Sequence, residues 1–239
     1  MNIARRDFFN RLASEWDNRF GKGERAENVR RVASRFNLKK DAVILDVGSG
    51  TGAMLPRLLE AAGRRGFVCA LDYSVEMIRR GQDKFAGRGP LGFQVAAAES
   101  LPCRSGLFDH VVCFGLFPHL DDREAALREF RRVLKPRGTL IIAHALSSEE
   151  IRHHHGKAPP VRHDRLPERD EMLRLLEAEG FSVAGIVDEP GCYCCEACRE
   201  PSTNRTPATP AVCAENESLP ASQVEAEYFD RLSTVEPPH

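Results

Sequence analysis

The sequence predicts an α/β fold in which a mostly parallel, doubly wound sheet carries a ligand at the carboxyl ends of its strands. Three observations carry that reading. First, Val43-Ile44-Leu45-Asp46-Val47 is a short apolar run that enters Gly48-Ser49-Gly50-Thr51-Gly52, after which Met54 to Ala62 shows helical apolar spacing. Strand, tight turn and helix follow one another, and small residues let a ligand approach the backbone and the helix N-terminus. Second, strand and helix patterns alternate down the chain, which implies parallel pairing. Third, Phe67 to Asp72 reads as the next strand and ends on a carboxylate about 20 residues past the glycines, the spacing at which an acidic side chain meets a ribose.

Taken in order, Asp7 to Phe20 places Phe8, Phe9, Leu12, Ala13 and Trp16 on one helical face. Such a stripe is expected to pack into a core; a lid over a ligand pocket is its other use. Gly21-Lys22-Gly23 breaks the pattern and Glu24 to Phe36 resumes it. Ser74 reads as the N-cap of a helix from Val75 to Phe85. Leu91 to Ala96 and Leu107 to Phe114 read as the third and fourth strands, and Arg123 to Leu134 as a helix. Lys135-Pro136-Arg137-Gly138 reads as a turn before a fifth strand, Thr139 to His144. Ser147 to Pro167 is polar and reads as a loop. Glu168 to Glu179 is helical and ends at Gly180; Phe181 to Asp188 reads as a strand, Glu189-Pro190-Gly191 as a hairpin-like turn, and Cys192 to Cys195 as a short closing strand. From about Pro201 the composition shifts to Pro, Ser, Thr, Ala and Glu, the signature of a disordered tail, within which Val224 to Leu232 keeps a helical pattern.

The 239 residues suffice for a domain of roughly 190 residues plus a tail. With 42% hydrophobic residues, 29% charged and a net charge of −1, the chain lacks a nucleic-acid footprint, and small molecules are its expected partners. Met1 to Asp7 has no apolar core of a signal peptide, and no apolar run reaches the roughly 18 residues of a membrane helix, so no membrane partner and a cytoplasmic location are expected. In that reducing compartment Cys69, Cys103 and Cys113 act as small apolar residues.

Gly48-x-Gly50-x-x-Ala53 satisfies a dinucleotide fingerprint, so an NAD-dependent oxidoreductase is one reading. Asp46 opposes it. A carboxylate in that turn would lie close to a pyrophosphate, whereas it favours a ligand bearing ammonium or sulfonium charge.

With these residues assembled, the chain resembles the class I S-adenosylmethionine-dependent methyltransferases, in particular the ubiquinone/menaquinone-methyltransferase-like group. The resemblance runs from Phe8 to Cys195 and rests on motifs in order: Asp46 to Gly52, Leu71-Asp72-Tyr73-Ser74 with Met77, Ala98-Glu99-Ser100-Leu101-Pro102, Phe108-Asp109, and Arg132-Val133-Leu134-Lys135-Pro136-Arg137-Gly138. It implies a Rossmann-like seven-stranded sheet with an antiparallel last strand, divided as a helical cap (1–36), a catalytic domain (37–200) and a tail (201–239). It implies S-adenosyl-L-methionine as cofactor, with Asp46, Gly48, Ser49, Gly50 and Gly52 at its methionine part and Asp72 at the ribose. Tyr73 and Met77 would lie near the adenine, with Ala98 and Glu99 at its edge. Related sequences often carry Asp where this chain has Ala97, so the adenine amino group must find another acceptor or be held less tightly.

Methyl transfer needs alignment more than a fixed catalytic set, but a base helps an acceptor that must lose a proton. His119, after strand four, and His144, at the end of strand five, are the candidates. His153-His154-His155 with His163 and Asp164 match no zinc spacing and read as a solvated loop, so no metal site is expected. Cys192, Cys194, Cys195 and Cys198 hold only half of a structural zinc pattern. Strand alternation would send Cys192 and Cys194 to one face and Tyr193 and Cys195 to the other. A thiol-rich protein that binds a metal or metalloid on this fold is the remaining alternative.

Overall fold

The computed structural model describes residues 3–155, 161 and 163–201. The expected tail beyond Pro201, with its Val224 to Leu232 segment, lies outside them.

A seven-stranded sheet forms the centre: β1 (Val43–Val47), β2 (Phe67–Asp72), β3 (Leu91–Val95), β4 (Phe108–Phe114), β5 (Leu134–His144), β6 (Phe181–Glu189) and β7 (Cys192–Arg199). Their spatial order is β3-β2-β1-β4-β5-β7-β6. β1 to β5 pair in parallel, and β7 is inserted antiparallel between β5 and β6. The order reverses beside β1, and the crevice beyond the ends of β1 and β4 is therefore a switch point where such sheets bind ligands.

Helices cover both faces. α1 (Ile3–Leu12), α2 (Trp16–Phe20), α3 (Gly23–Ser34), α4 (Leu55–Ala62) and α5 (Val75–Phe85) precede β3; α6 (Arg123–Val133), α7 (Ser148–His155) and α8 (Arg169–Ala178) follow β4. One core packs Val32 and Ala33 of α3, Leu55 and Leu58 of α4 and Phe85 against Ile44, Val68, Val112 and Ile141. The other packs Leu127 and Phe130 of α6, Ile151 of α7 and Leu176 of α8 against Leu45, Val111, Leu140 and Ile142. Residues two apart on β1 thus serve opposite layers from their neighbours, as the pleat requires. Both faces of the central strands are buried, which is why they read as unbroken apolar runs.

Four expectations are corrected. The Asp7 to Phe20 stretch is not one helix packed into a core: a single 3-10 turn, Ala13–Glu15, divides α1 from α2, and only Ala13 of the stripe is buried. The turn Lys135 to Gly138 lies inside β5 as a bulge, with Phe108 opposite Leu134 and His110 opposite Thr139. The bulge is fixed by Lys135 Nζ donating to Asp109 at 2.9 Å and by Arg137 in the left-handed region at φ 62. The Ser147 to Pro167 loop contains α7. Its start is a capping box: Ser147 N donates to Glu150 Oε2 at 2.7 Å and Glu150 N to Ser147 Oγ at 3.2 Å. Finally, β7 is twice the expected length, because Glu196 to Cys198 continue the pairing with both neighbours and Arg199 with β6. Among the described residues no helix is long and apolar enough to cross a membrane.

Candidate active site

β1 delivers the glycine loop to the crevice. The Gly48 and Ser49 amides both donate to the Leu71 carbonyl, at 2.7 and 2.9 Å, which folds the loop back over the end of β2. Gly48, Gly50 and Gly52 all have positive φ, and a Cβ on Gly48 would lie 2.7 Å from the Leu116 Cβ. Glycine is therefore required at Gly48 by conformation and by space together.

Two buried carboxyl groups sit beneath this loop. Asp72 accepts from Gly50 N at 2.9 Å through Oδ2 and from Ser74 N at 2.8 Å through Oδ1. Burial raises its pKa, the backbone bonds oppose the rise, and the outcome is about 6. Asp46 on β1 is 1% exposed, and neither of its oxygens has a hydrogen-bond partner among the described residues. Burial, and then the neighbouring Asp72 charge, push it up to about 8. An unpartnered buried carboxyl of this kind is costly to ionise alone, and a cation placed beside it removes that cost.

The loop opens onto a cavity of about 620 Å³. Gly48, Ser49, Gly50, Gly52, Asp72, Tyr73, Met77, Ala98 and Glu99 line it, as do both histidines, His119 and His144. Asp46 lies behind these residues. The structure thus gathers the sequence candidates around one space. Ala98 and Glu99 are held there by α6: Glu129 Oε2 accepts from Leu101 N at 2.7 Å, and Arg132 donates to the carbonyls of Leu101 and Cys103 at 2.9 and 2.6 Å.

The opposite wall is the N-terminal segment. Phe8, Phe9, Leu12 and Trp16 face the cavity, so the aromatic stripe covers the site. Polar tethers fasten it: the Ser74 hydroxyl donates to Asn10 Oδ1 at 2.6 Å, and the Thr51 hydroxyl and Lys84 Nζ donate to Asp17 at 2.6 and 2.9 Å. Ser74 is also the N-cap of α5, as its position before Val75 suggested, accepting from Met77 N. Hydrophobic spacing exposed the stripe but gave no sign of these tethers, which join residues far apart in the chain.

His119 ends a 3-10 turn, Phe117–His119, and its Nδ1 is 2.7 Å from Asp164 Oδ2. Arg5 of α1 donates to Asp164 Oδ1 at 2.8 Å, to the His119 carbonyl at 2.8 Å and to Asp121 at 2.6 Å. Arg5 was not singled out in the sequence, and Asp164 only beside a histidine cluster. His144 stacks on Phe114 with ring centroids 6.3 Å apart. His154 lies against Arg25 at 2.7 Å, while His153 is exposed on α7.

Alternation in β7 divides the cysteines as expected. Cys192 and Cys194 enter the first core and Tyr193 and Cys195 the second, and all four are buried. Burial pushes the Cys194 and Cys195 thiols up to about 11 and about 12, the wrong direction for thiolate ligands.

A doubly wound sheet, a glycine loop over two buried carboxyls and a covered cavity together form a site suited to a ligand that carries positive charge. Comparison with known proteins names the class: residues 45–142 match the methyltransferase domain family. The ubiquinone/menaquinone biosynthesis C-methyltransferase of Yersinia enterocolitica is 33% identical over 123 residues, 48% of this chain and 49% of that protein. The chain spans about half the length of the curated relatives it matches. A SAM-dependent methyltransferase from Aquifex aeolicus superposes with TM-score 0.65 at 26% identity, covering 78% of this chain and 98% of that one. The methyltransferase solved with the Trm112 activator from Haloferax volcanii shares the fold with TM-score 0.67 at 20% identity, covering 80% and 97%. Residues 45–142 thus carry a methyltransferase domain, and the chain is similar to the class I S-adenosylmethionine-dependent methyltransferases. That family's cofactor is S-adenosylmethionine, which takes the place of the nicotinamide reading.

Proposed function

We propose that this protein transfers a methyl group from S-adenosylmethionine to a small-molecule acceptor. The observation that carries the reading is the pair of buried carboxyls, Asp46 and Asp72, under a glycine loop that opens into the same cavity as His119 and His144. The orphaned oxygens of Asp46 suit the positively charged methionine part of the cofactor, beside Gly48, Ser49, Gly50 and Gly52. Asp72 has lone pairs left for the ribose hydroxyls, and Tyr73, Met77, Ala98 and Glu99 form the adenine wall. When bound, the cofactor supplies an electrophilic methyl on sulfur.

The chain's own contribution is to bind, orient and exclude water. Phe8, Phe9, Leu12 and Trp16 close the space from the N-terminal side, which strengthens electrostatics within it. The size of the cavity and the apolar cover favour a small apolar acceptor over a nucleic acid or a membrane surface. The net charge of −1 supports the same choice, and the buried thiols of Cys113, Cys192, Cys194 and Cys195 suit a reducing, cytoplasmic setting.

Titration calorimetry tests the cofactor first: S-adenosylmethionine binds and NADH does not. Methyl-labelled cofactor with extracted small molecules then yields labelled product. Heat with NADH and none with S-adenosylmethionine would refute the reading, and tight zinc or arsenite binding in its place would favour the thiol-based alternative.

A further inference from the structure

The two buried carboxyls beneath the glycine loop are unequal. Strand alternation puts Asp46 on the face of β1 that it shares with Ile44, opposite Ala70 of β2 and Val112 of β4. It is 1% exposed, and neither oxygen has a hydrogen-bond partner among the described residues. From β2, Asp72 adds a second carboxyl; from β4, the buried Cys113 thiol is pushed far above its ordinary range and stays neutral. The helices α3 and α4, which cover this face, send Arg31 and Arg57 to the carbonyls of Pro190 and Phe36. Exposed Arg30 of α3 and His144 of β5 stand on the cavity wall. Burial therefore holds Asp46 protonated up to about 8, whereas the Gly50 and Ser74 amides keep Asp72 at about 6.

Resting on methyl transfer as proposed above, we propose that Asp46 is the residue by which the site tells cofactor from spent product: it gives up its proton to hold S-adenosylmethionine and takes one back beside the demethylated thioether. The ammonium and carboxylate of the methionine part are common to both ligands, so the charge on sulfur alone separates them. Methyl transfer breaks the carbon–sulfur bond and leaves its electron pair on sulfur, which lowers the charge of the ligand by one. Less positive charge then remains to offset two carboxyls. Asp72, with two amides donating to it, keeps its negative charge; Asp46, with no donor among the described residues, becomes neutral by taking a proton from water. The proton released to solvent when the cofactor enters is thus recovered when the product forms. Preference for cofactor over product consequently grows as pH rises toward the Asp46 value, because only the cofactor demands the ionised carboxyl.

Calorimetry at pH 7 in two buffers of different ionisation heat counts the protons without any turnover. The parent protein should release about one proton more on binding S-adenosylmethionine than on binding S-adenosylhomocysteine. Sinefungin, which carries an amino group on carbon where the sulfonium methyl would be, should behave as the cofactor does, since charge and not the methyl is sensed. The affinity ratio of cofactor to product should rise roughly tenfold from pH 6 to pH 7 and level off above pH 8. In Asp46→Asn the ratio should stay constant over that range and the extra proton should vanish. Equal proton release with cofactor and product would overturn the proposal, because Asp46 would then answer to the shared ammonium; this result needs only the parent protein. A ratio that still follows pH in Asp46→Asn would assign the sensing to another group and overturn it too. Failure of the parent to bind S-adenosylmethionine would overturn the methyltransferase reading instead.

Discussion

Asp46→Asn should stabilise the ligand-free protein at neutral pH and weaken its hold on the cofactor. The native Asp46 carboxyl keeps its proton up to about pH 8, against an ordinary value of 3.8. An acid whose folded value is raised makes the native state bind more protons than the unfolded chain across that interval. Stability from this source is therefore present at low pH and falls as pH rises toward 8, by about 1.4 kcal/mol per pH unit. Between pH 5 and pH 7 the parent should lose about 3 kcal/mol that the asparagine variant, which cannot ionise, retains. Asp72, raised to about 6, contributes its own loss at the lower end of the window, but equally in both proteins. Urea titrations at pH 5, 6 and 7 without ligand measure the difference directly. Parallel stability curves for parent and variant would refute the reasoning, because they would mean that Asp46 is already ionised and compensated. The cofactor moves in the opposite sense: S-adenosylmethionine should bind the parent more tightly as pH rises toward 8 and release protons as it binds, and Asp46→Asn should abolish that release.

Asp72→Ala should weaken S-adenosylmethionine by about 1–3 kcal/mol in calorimetry, since charge-assisted bonds to the ribose go and the Gly50 and Ser74 amides lose their acceptor; equal affinity would remove Asp72 from the site. Asp17→Ala cuts the tethers to Thr51 and Lys84, and stopped-flow release of the cofactor should accelerate about tenfold if α2 retains the ligand. Rates unchanged by Asp17→Ala would mean that the segment does not gate. Iodoacetamide at pH 8 should label exposed Cys198 first and leave Cys194 and Cys195 unmodified in the native protein, followed by mass spectrometry. Rapid native labelling of Cys195 would contradict its burial.

The sheet was legible because buried parallel strands are apolar on both faces and their boundaries carry Gly, Pro or a terminal carboxylate. The cofactor wall was legible for a related reason: Asp46 and Asp72 lie on two adjacent strands, the glycines directly follow the first, and one helix sets the spacing in sequence. What stayed hidden is pairwise and distant. Arg5 reaches Asp164 across 159 positions, and no local pattern marks either partner. α7 is a different case, since Ser147 and Glu150 form a capping box that the sequence displays; the histidine triplet and the prolines beyond it drew attention from that signal. The late motifs prove to be joints between early ones. Asp109 accepts from Val43 N at 2.9 Å and from Lys135, so β1, β4 and the β5 bulge meet at one carboxylate. Glu129 and Arg132 likewise tie α6 to the loop of Ala98 and Glu99.

The insertion of β7 between β5 and β6 has a consequence for assembly during synthesis. β6 leaves the ribosome before β7 yet touches the rest of the sheet only through it, so the apolar edge of β5 waits unpaired until the final described strand arrives. Cys192, Cys194 and Cys195 are compact side chains that slot into both cores at that closing moment without forcing either layer apart. A nascent chain halted near Pro190 would carry the complete cofactor wall and still be prone to aggregate, because an exposed strand edge recruits other chains.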